Sequence, residues 1–203
     1  DADPGAADRG YAIHEVLERF LGAFPKDLPP DALERLLKEG EAAFADWADR
    51  PRVQAFWWPR FLRMAEWLVA HERGWRQAIA ESRSEVDGKL TLPAPGGPFL
   101  LTAKADRIDR MPNGSLEIAD YKTGTPPPPK DVAAGLAPQP TLEALIARAG
   151  GFDGVAPAAV SGLSYWRLSG SRPPGEVKPA AGKGGDCAAL IAEAEAGVRA
   201  LLA

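Results

Sequence analysis

The segment over residues 99–124 restricts the fold more than any other part of this sequence. Two stretches of alternating and β-branched residues flank the tripeptide Pro112-Asn113-Gly114. Proline suits the first position of a type I turn, and glycine suits the left-handed position that closes a three-residue hairpin loop. The sequence therefore predicts two antiparallel strands joined by a tight turn.

The turn also predicts the register of the two strands. If Met111 lies opposite Ser115, then Asp106 lies opposite Asp120, with Cβ atoms roughly 5 Å apart on one face of the sheet. Like charges at that spacing repel unless a cation neutralises them, and divalent cations prefer carboxylate oxygens. Lys122 lies two residues beyond Asp120, so strand alternation places it on the same face. The hairpin thus predicts two metal-binding acids beside a lysine.

Such a set of side chains suits the hydrolysis of a phosphodiester. A metal ion on the two acids polarises the phosphate and lowers the pKa of a bound water, while Lys122 holds the water or stabilises the pentavalent charge. The alternative interpretation is that Asp106, Asp109 and Asp120 are solvated charges at strand ends, because Asp-x-Lys alone is a common pattern. Glu81 and Glu85 lie ahead of the hairpin; they are interpreted as surface charges, and the alternative is that they are first-strand acids that serve the site.

Several segments resemble one family. ADRIDR at residues 105–110 and LEIADYKTG at 116–124 resemble the nuclease core of the PD-(D/E)XK superfamily in its RecB-like branch, and within it the C-terminal nuclease domain of AddB helicase-nuclease subunits of alphaproteobacterial type. DRGYAIHEVLERF at residues 8–20 is similar to the first motif of that family. GLAPQPTLEALIARAGGF at residues 135–152 is similar to the helix after the core.

The resemblance implies a set of site residues. A Mg²⁺ or Mn²⁺ ion would be held by His14, Asp106, Asp120 and the backbone carbonyl of Tyr121, and Lys122 would position or activate water.

The helix after the core implies one more site residue. Gln139 would assist with phosphate or water. The family carries Gln-x-x-x-Tyr at this point, whereas this chain has Glu143 in place of the tyrosine.

The order of predicted elements is helices, strand, hairpin, helix, strand, helix. This order indicates an α/β fold with a mixed central sheet, and the resemblance implies the αβββαβ core of restriction-endonuclease-like proteins. We expect one nuclease domain over residues 1–203, with a helical insertion at 25–80, a flexible loop at 170–185 and a C-terminal helix. The chain starts with Asp-Ala-Asp-Pro and no methionine, which suggests a piece of a longer protein.

Composition limits the function classes. The net charge of −4 is unusual for a protein that binds DNA by itself, because phosphate contacts favour basic surfaces. The one cysteine, Cys187, excludes a disulfide framework and predicts that the four-cysteine iron–sulfur cluster of some RecB-like relatives is absent. No apolar run approaches the roughly 20 residues of a membrane span, so we expect a soluble protein. The low cysteine content predicts a reducing compartment, the cytoplasm.

Five of the six tryptophans lie between residues 47 and 75. They are interpreted as side chains that pack between helices, and the alternative is a platform on which unstacked bases lie.

Three functions remain open at this point. The leading one is a Mg²⁺-dependent deoxyribonuclease in double-strand break repair and recombination, acting with the helicase-like part of the same chain and an AddA-type partner subunit. The second is a catalytically inactive module of the same fold that binds DNA or serves as a scaffold. The third is a metal-dependent hydrolase of small phosphoesters.

Overall fold

The computed structural model describes residues 5–203, and the first four residues of the expected domain lie outside this part. Helices dominate the first third of the chain, and strands alternate with helices thereafter. The elements are α1 Ala6–Ala23, α2 Ala32–Ala43, α3 Trp58–Trp75, β1 Glu81–Leu92, β2 Phe99–Arg110, β3 Leu116–Lys122, α4 Pro129–Ala133, α5 Gln139–Arg148, β4 Val160–Leu168, β5 Gly175–Pro179 and α6 Cys187–Leu202.

The five strands form one sheet in the order β1-β2-β3-β4-β5. The first three strands are antiparallel neighbours. β4 starts beside the start of β3, where the Leu116 amide donates to the Ala159 carbonyl, so these two strands run in parallel. β5 returns antiparallel to β4, with the Ala180 amide donating to the Leu163 carbonyl. The predicted α/β fold with a mixed sheet is therefore confirmed.

The hairpin at the centre of the sheet has the predicted turn. The Met111 amide donates to the Ser115 carbonyl at 2.8 Å, and Gly114 has a φ of 86°, the left-handed conformation that glycine adopts without a steric penalty. Ile108 lies opposite Ile118 as the sequence predicts. Turn chemistry was therefore a sufficient guide to this register.

The segment at 170–185, expected to be a flexible loop, contains β5. A Cβ atom at Gly175 would overlap the Trp67 ring, so this glycine permits a close approach of the strand to an aromatic side chain. The strand was not predicted because glycine and proline, which are frequent in this segment, are typical of loops.

Two compact units make up the chain. The first unit contains residues 5–78, 121–125 and 166–176, and the second contains residues 79–120, 126–165 and 177–203. No helix within residues 5–203 combines the length and the apolar character needed to cross a bilayer.

The first unit has an aromatic core between its helices. Trp57 is buried against Phe44, and a Cβ atom at Gly40 would overlap the Phe61 ring. These contacts agree with packing as the role of the tryptophans. The end of α3 is fixed by a buried ion pair of 2.7 Å between Glu72 and Arg76.

The second unit buries the sheet against α5 and α6. Its core includes Ile108 and Ile118 of the hairpin, Leu145 and Ile146 of α5, and Leu190 of α6. Asp186 is the N-cap residue of α6. Its carboxylate accepts hydrogen bonds from the backbone amides of Ala188 and Ala189. Packing of these apolar side chains fixes the positions of the strands that also carry the acids of the sheet.

Charged side chains interrupt the apolar interior of β2. Arg107 Nε donates to Asp109 Oδ2 at 2.7 Å, and the two side chains are 1% and 2% exposed. Removing one partner of such a pair leaves the other charge buried without full compensation. The pair therefore stabilises β2 only while both members are present.

We expect Asp109→Asn to destabilise the protein by about 3 kcal/mol, because it leaves the Arg107 guanidinium buried beside a neutral amide. Denaturant unfolding measures the change. The matched control is Glu34→Gln, which removes an ion pair with Lys38 whose side chains are 66% and 68% exposed and should leave stability unchanged. Equal effects of the two substitutions would contradict this account.

Glu117 on β3 is half-buried, and its pKa is raised from 4.5 by burial and by the nearby Asp109. A raised pKa in the folded state means that the ionised form costs stability, so the cost is present at neutral pH and vanishes as the pH falls below 4.5. Glu117→Gln should therefore raise the melting temperature at neutral pH and lose this advantage in acid. Thermal unfolding across this pH range, with the exposed Glu15→Gln as control, checks the prediction; a gain of equal size at every pH would refute it.

Candidate active site

Asp106 and Asp120 belong to neighbouring strands of the second unit. The β2–β3 ladder runs from Arg110 opposite Leu116 to Arg107 opposite Ala119. Continued by one residue, this register places Asp106 opposite Asp120, as the sequence predicts. Asp120 is 2% exposed and Asp106 is partly buried, so neither is a freely solvated charge at a strand end.

Glu85 lies opposite Asp106 on the other side of β2. Ser84 pairs with Arg107 and Val86 with Ala105, which leaves Glu85 facing Asp106. A carboxylate oxygen of Glu85 and one of Asp106 lie within 4.8 Å of each other. The position of Glu85 therefore agrees with the alternative interpretation of this residue as a first-strand acid.

The signal that could have found Glu85 was the β1–β2 register. Leu92 pairs with Phe99 across a six-residue loop, and counting back from that pair reaches Glu85 opposite Asp106. The loop sequence PAPGGP has no turn chemistry that fixes the count, so the register could not be derived from the sequence.

Lys104 is the cation beside these acids. Its Nζ atom lies 2.8 Å from Glu85 Oε2, and the Lys104 side chain is 46% exposed while that of Glu85 is 15% exposed. The lysine lies two residues before Asp106 on the same strand. It therefore offsets part of the negative charge where Glu85 and Asp106 meet.

Gln139 and Glu143 lie one turn apart on α5. Gln139 is exposed, and its Nε2 atom donates to Glu143 Oε1 at 3.1 Å. Glu143 is 1% exposed. The predicted site residue Gln139 is thus held by a buried acid.

Tyr165 on β4 is a polar neighbour of this cluster that the sequence analysis missed. Burial, together with the charges of Asp120 and Glu143, raises its pKa to about 12. The phenol is therefore protonated at every physiological pH. No local pattern links Tyr165 to Asp120, because β3 and β4 are separated by two helices in the chain.

His14, Tyr121 and Lys122 belong to the first unit. The His14 ring meets the Tyr121 ring edge-on with centroids 6.4 Å apart, and a Cβ atom at Gly10 would lie 3.4 Å from the Thr123 hydroxyl. α1 therefore passes close to the segment that follows Asp120 in the chain. Tyr121 is buried and Lys122 half-buried.

Two grooves of the second unit flank the N-terminal half of β2. One, of about 500 Å³, is lined by Asp87, Gly88, Lys89, Thr102, Ala103, Lys104 and Asp153. The other, of about 360 Å³, includes Gln139 and Glu143 and shares Thr102, Ala103 and Lys104 with the first. The charged side chains along the larger groove are exposed, so it is open to solvent. Lys104 therefore lines both grooves and also pairs with Glu85.

The donor atoms at these acids suit a hard divalent cation. Oxygen ligands lie about 2.0–2.6 Å from Mg²⁺ or Ca²⁺, so two oxygens on one ion are at most about 5 Å apart. The Glu85 and Asp106 oxygens meet this limit. The buried carboxylate of Asp120 on the adjacent strand would supply a further oxygen.

The family model for the PD-(D/E)XK nuclease superfamily matches residues 1–203. This chain belongs to that superfamily. Its members are usually nucleases and generally use divalent metal ions, which agrees with the neighbouring carboxylates of Glu85 on β1 and Asp106 on β2. The match does not distinguish the RecB-like or AddB-type branch within the superfamily.

Similar proteins occur in Rickettsia. The chain is 26% identical over 151 residues to an uncharacterized protein of Rickettsia bellii strain RML369-C, and 27% identical over 154 residues to one of Rickettsia conorii strain Malish 7. In both, the alignment covers 74% of this chain and 18% of the relative. The chain thus spans about a fifth of the length of these relatives.

One solved structure, titled "Crystal structure of SSO0001", aligns with 94% of this chain and 85% of its own chain. The sequence identity is 12% and the TM-score is 0.37. A likeness at this level adds nothing to the assignment of the fold.

We expect Mn²⁺ to stabilise the wild-type protein against thermal unfolding, by about 2.7 kcal/mol at a free concentration roughly 100 times the dissociation constant. Asp106→Asn should abolish this stabilisation, because it removes a carboxylate that lies opposite both Glu85 and Asp120. The control Asp27→Asn, at an exposed acid of the first unit, should keep it. Equal stabilisation of Asp106→Asn and wild type would place the ion elsewhere.

Proposed function

We propose that this chain is a metal-dependent deoxyribonuclease domain of the RecB-like type, which hydrolyses phosphodiester bonds at DNA ends during double-strand break repair. The observation that carries the proposal is the register that sets Asp106 opposite Asp120, with Lys122 two residues farther along β3. This register supports the proposal because it puts two acids on neighbouring strands of the sheet.

His14, Asp106, Asp120 and the Tyr121 carbonyl would hold Mg²⁺ or Mn²⁺. The Tyr121 carbonyl follows Asp120 directly in β3, so the strand geometry that fixes one ligand also fixes the other. Assignment of His14 rests on the resemblance and on its position beside Tyr121 within the first unit. A bound divalent ion supplies Lewis-acid polarisation of the phosphate and a bound water of lowered pKa.

Lys122 would stabilise the negative charge that develops on the phosphate, or hold the attacking water. A preorganised ammonium is effective in this role because its charge is in place before the reaction starts. Gln139, fixed by its hydrogen bond to Glu143, would orient a phosphate oxygen or a water. Neither residue needs to change its protonation state for these tasks.

The negative net charge supports action within a larger assembly. A chain with a charge of −4 gains little from phosphate contacts when it acts alone. The relatives are about five times longer than the matched segment, so the remaining part of such a protein would have room for DNA-binding domains. We therefore place this domain in a cytoplasmic AddAB-type complex, with a helicase-like region and an AddA-type partner subunit that deliver DNA.

An inactive DNA-binding or scaffolding module is the second candidate. Glu143 in place of the family tyrosine favours it, because a buried acid adds negative charge where DNA phosphates would approach. The retention of His14, Asp106, Asp120 and Lys122 favours the enzyme. The open groove beside β2 also fits a strand better than a small phosphoester.

The decisive assay is digestion of labelled single-stranded and duplex DNA with Mg²⁺ or Mn²⁺. We expect cleavage that EDTA abolishes and that Lys122→Ala or Asp120→Asn reduces by roughly 100-fold or more. Lys130→Ala, at an exposed lysine of α4, is the control and should cut at the wild-type rate.

Two other outcomes would contradict the nuclease. Wild-type protein that binds Mn²⁺ but cuts neither substrate, alone or with its partner subunit, would indicate the inactive module. Turnover of bis(p-nitrophenyl) phosphate without any DNA cleavage would indicate a small-phosphoester hydrolase.

A further inference from the structure

The segment that leads into α3 has a local excess of positive charge. Residues 50–63 contain four arginines and no acid, although the whole chain has a net charge of −4. Within this segment Val53–Trp57 forms a π-type turn, in which the Trp58 amide donates to the Val53 carbonyl five residues earlier. Such turns are rare and occur frequently at functional sites. The segment is therefore a candidate interaction surface of the first unit.

The exposed side of this helix carries a stripe of three side chains. The buried side starts at Trp57 and repeats at every third or fourth residue. The residues Phe56, Arg60 and Arg63 have i, i+4, i+7 spacing one position earlier, so they line up beside the buried side. Phe56 is 61% exposed, Arg63 is exposed and Arg60 is half-buried. The stripe thus presents an aromatic ring followed by two guanidinium groups.

The β4–β5 turn holds the two arginines of the stripe in place. Arg63 Nε donates to the Gly170 carbonyl at 2.8 Å. A Cβ atom at Gly170 would overlap the backbone of Arg60, so only glycine permits this close approach of the turn to α3. The guanidinium groups of the stripe therefore start from a fixed backbone.

A further arginine reaches the stripe from α1. Arg9 is half-buried, and burial together with the positive charge of Arg60 lowers the pKa of its guanidinium. Asp8, the acid next to it in the chain, accepts a hydrogen bond from the Gly5 amide at the start of the helix. Like charges that are partly removed from water favour an anion beside them.

The position of Arg9 also relates this cluster to the segment after β3. A Cβ atom at Gly10, the residue after Arg9, would lie 3.4 Å from the Thr123 hydroxyl oxygen. Thr123 directly follows Lys122, the lysine proposed to act on the phosphate. An anion at Arg9 would therefore lie near the part of the first unit that contains Lys122.

We propose that the stripe of Phe56, Arg60 and Arg63, together with Arg9, binds single-stranded DNA, with an unpaired base stacked on Phe56 and backbone phosphates on the guanidinium groups. The inference rests on the proposed nuclease and names the form of DNA that it holds. Aromatic rings beside basic groups suit single strands, because every base has a face for stacking and arginines neutralise phosphates. In a duplex the base faces are covered by neighbouring base pairs, which leaves no partner for Phe56.

Tyr11 on α1 shows that exposure of an aromatic ring alone does not make such a surface. This ring is 77% exposed, more than that of Phe56. Its i+4 and i+7 positions are occupied by the acids Glu15 and Glu18, which repel phosphates. Tyr11 is therefore a matched control for Phe56 within the same unit.

The ring is tested by fluorescence anisotropy of a labelled oligothymidylate in EDTA, which prevents metal-dependent cleavage. We expect Phe56→Ala to weaken binding of the single strand about 10-fold and to leave binding of a hairpin duplex unchanged. Phe56→Trp keeps a stacking ring and should bind the single strand as wild type, which separates loss of stacking from misfolding. Tyr11→Ala should bind as wild type. Equal affinities of Phe56→Ala and Tyr11→Ala would overturn the stacking role.

The arginines are tested by the salt dependence of the same binding. Loss of one phosphate contact lowers the slope of log K against log salt concentration by about 0.7 for a single strand. We expect this decrease for Arg60→Gln, and a wild-type slope for Arg60→Lys, which keeps the charge. Arg19→Gln, at an exposed arginine of α1 that pairs with Glu15, is the control and should keep the slope. An unchanged slope in Arg60→Gln would contradict the phosphate contact.

The outcomes separate this inference from the proposed function. If wild-type protein cuts DNA with Mg²⁺ or Mn²⁺ while Phe56→Ala and Arg60→Gln bind and cut single strands as wild type, the nuclease stands and this surface does not hold its DNA. If the protein binds single strands through these residues but cuts no DNA, the surface stands and the nuclease fails. Wild-type protein that binds no single strand at low salt would overturn the inference whatever the cleavage assay shows.

Discussion

The hydrogen bonds that close the β2–β3 turn determine where the acids of the sheet lie. The Met111 amide donates to Ser115 and the Gly114 amide to Met111, and the left-handed Gly114 completes the loop. A slip of one residue would move every side chain of β3 to the opposite face. Such a slip is costly because the buried Ile118 of β3 would leave the core that it shares with Ile108. Asp106 faces Asp120 as a result of local turn chemistry and apolar burial, without any contribution from the acids themselves.

Local signals predicted the register of this hairpin and failed where strands meet over longer distances. Turn residues and alternation were enough to set Ile108 opposite Ile118 and, by continuation, Asp106 opposite Asp120. Glu85 depends on a loop without defined turn chemistry, and Tyr165 reaches the cluster from β4 after two intervening helices. β5 was hidden because Gly175 serves a close approach to Trp67 and is not a sign of mobility. Such contacts are set by tertiary packing, which a sequence pattern of period 2 or 3.6 does not encode.

Charge compensation along β2 explains how a sheet can carry so many acids. Lys104 pairs with Glu85, and Arg107 with Asp109. Both ion pairs lie close to Asp106. The charged side chains near this residue are therefore held in place by their own partners. Closely spaced carboxylates lower stability until a cation binds, and sites of this kind are kept for function at the expense of stability. Two of the three basic side chains of β2 thus neutralise acids within the sheet, while Arg110 donates to the carbonyls of Gly114 and Ala156.

The residue at position 143 bears on the proposed catalytic site, because the resemblance to the RecB-like branch implies a tyrosine there. The buried Glu143 accepts a hydrogen bond from Gln139, while the phenol of Tyr165 lies close enough for the charges of Asp120 and Glu143 to contribute to the rise of its pKa to about 12. A neutral phenol therefore remains in this neighbourhood, carried by β4 and not by α5. The positions of Asp106 and Asp120 depend on the strand register, and that register is independent of position 143. An effect of Glu143 on the proposed metal centre would therefore be electrostatic, since the geometry of these two acids is set elsewhere.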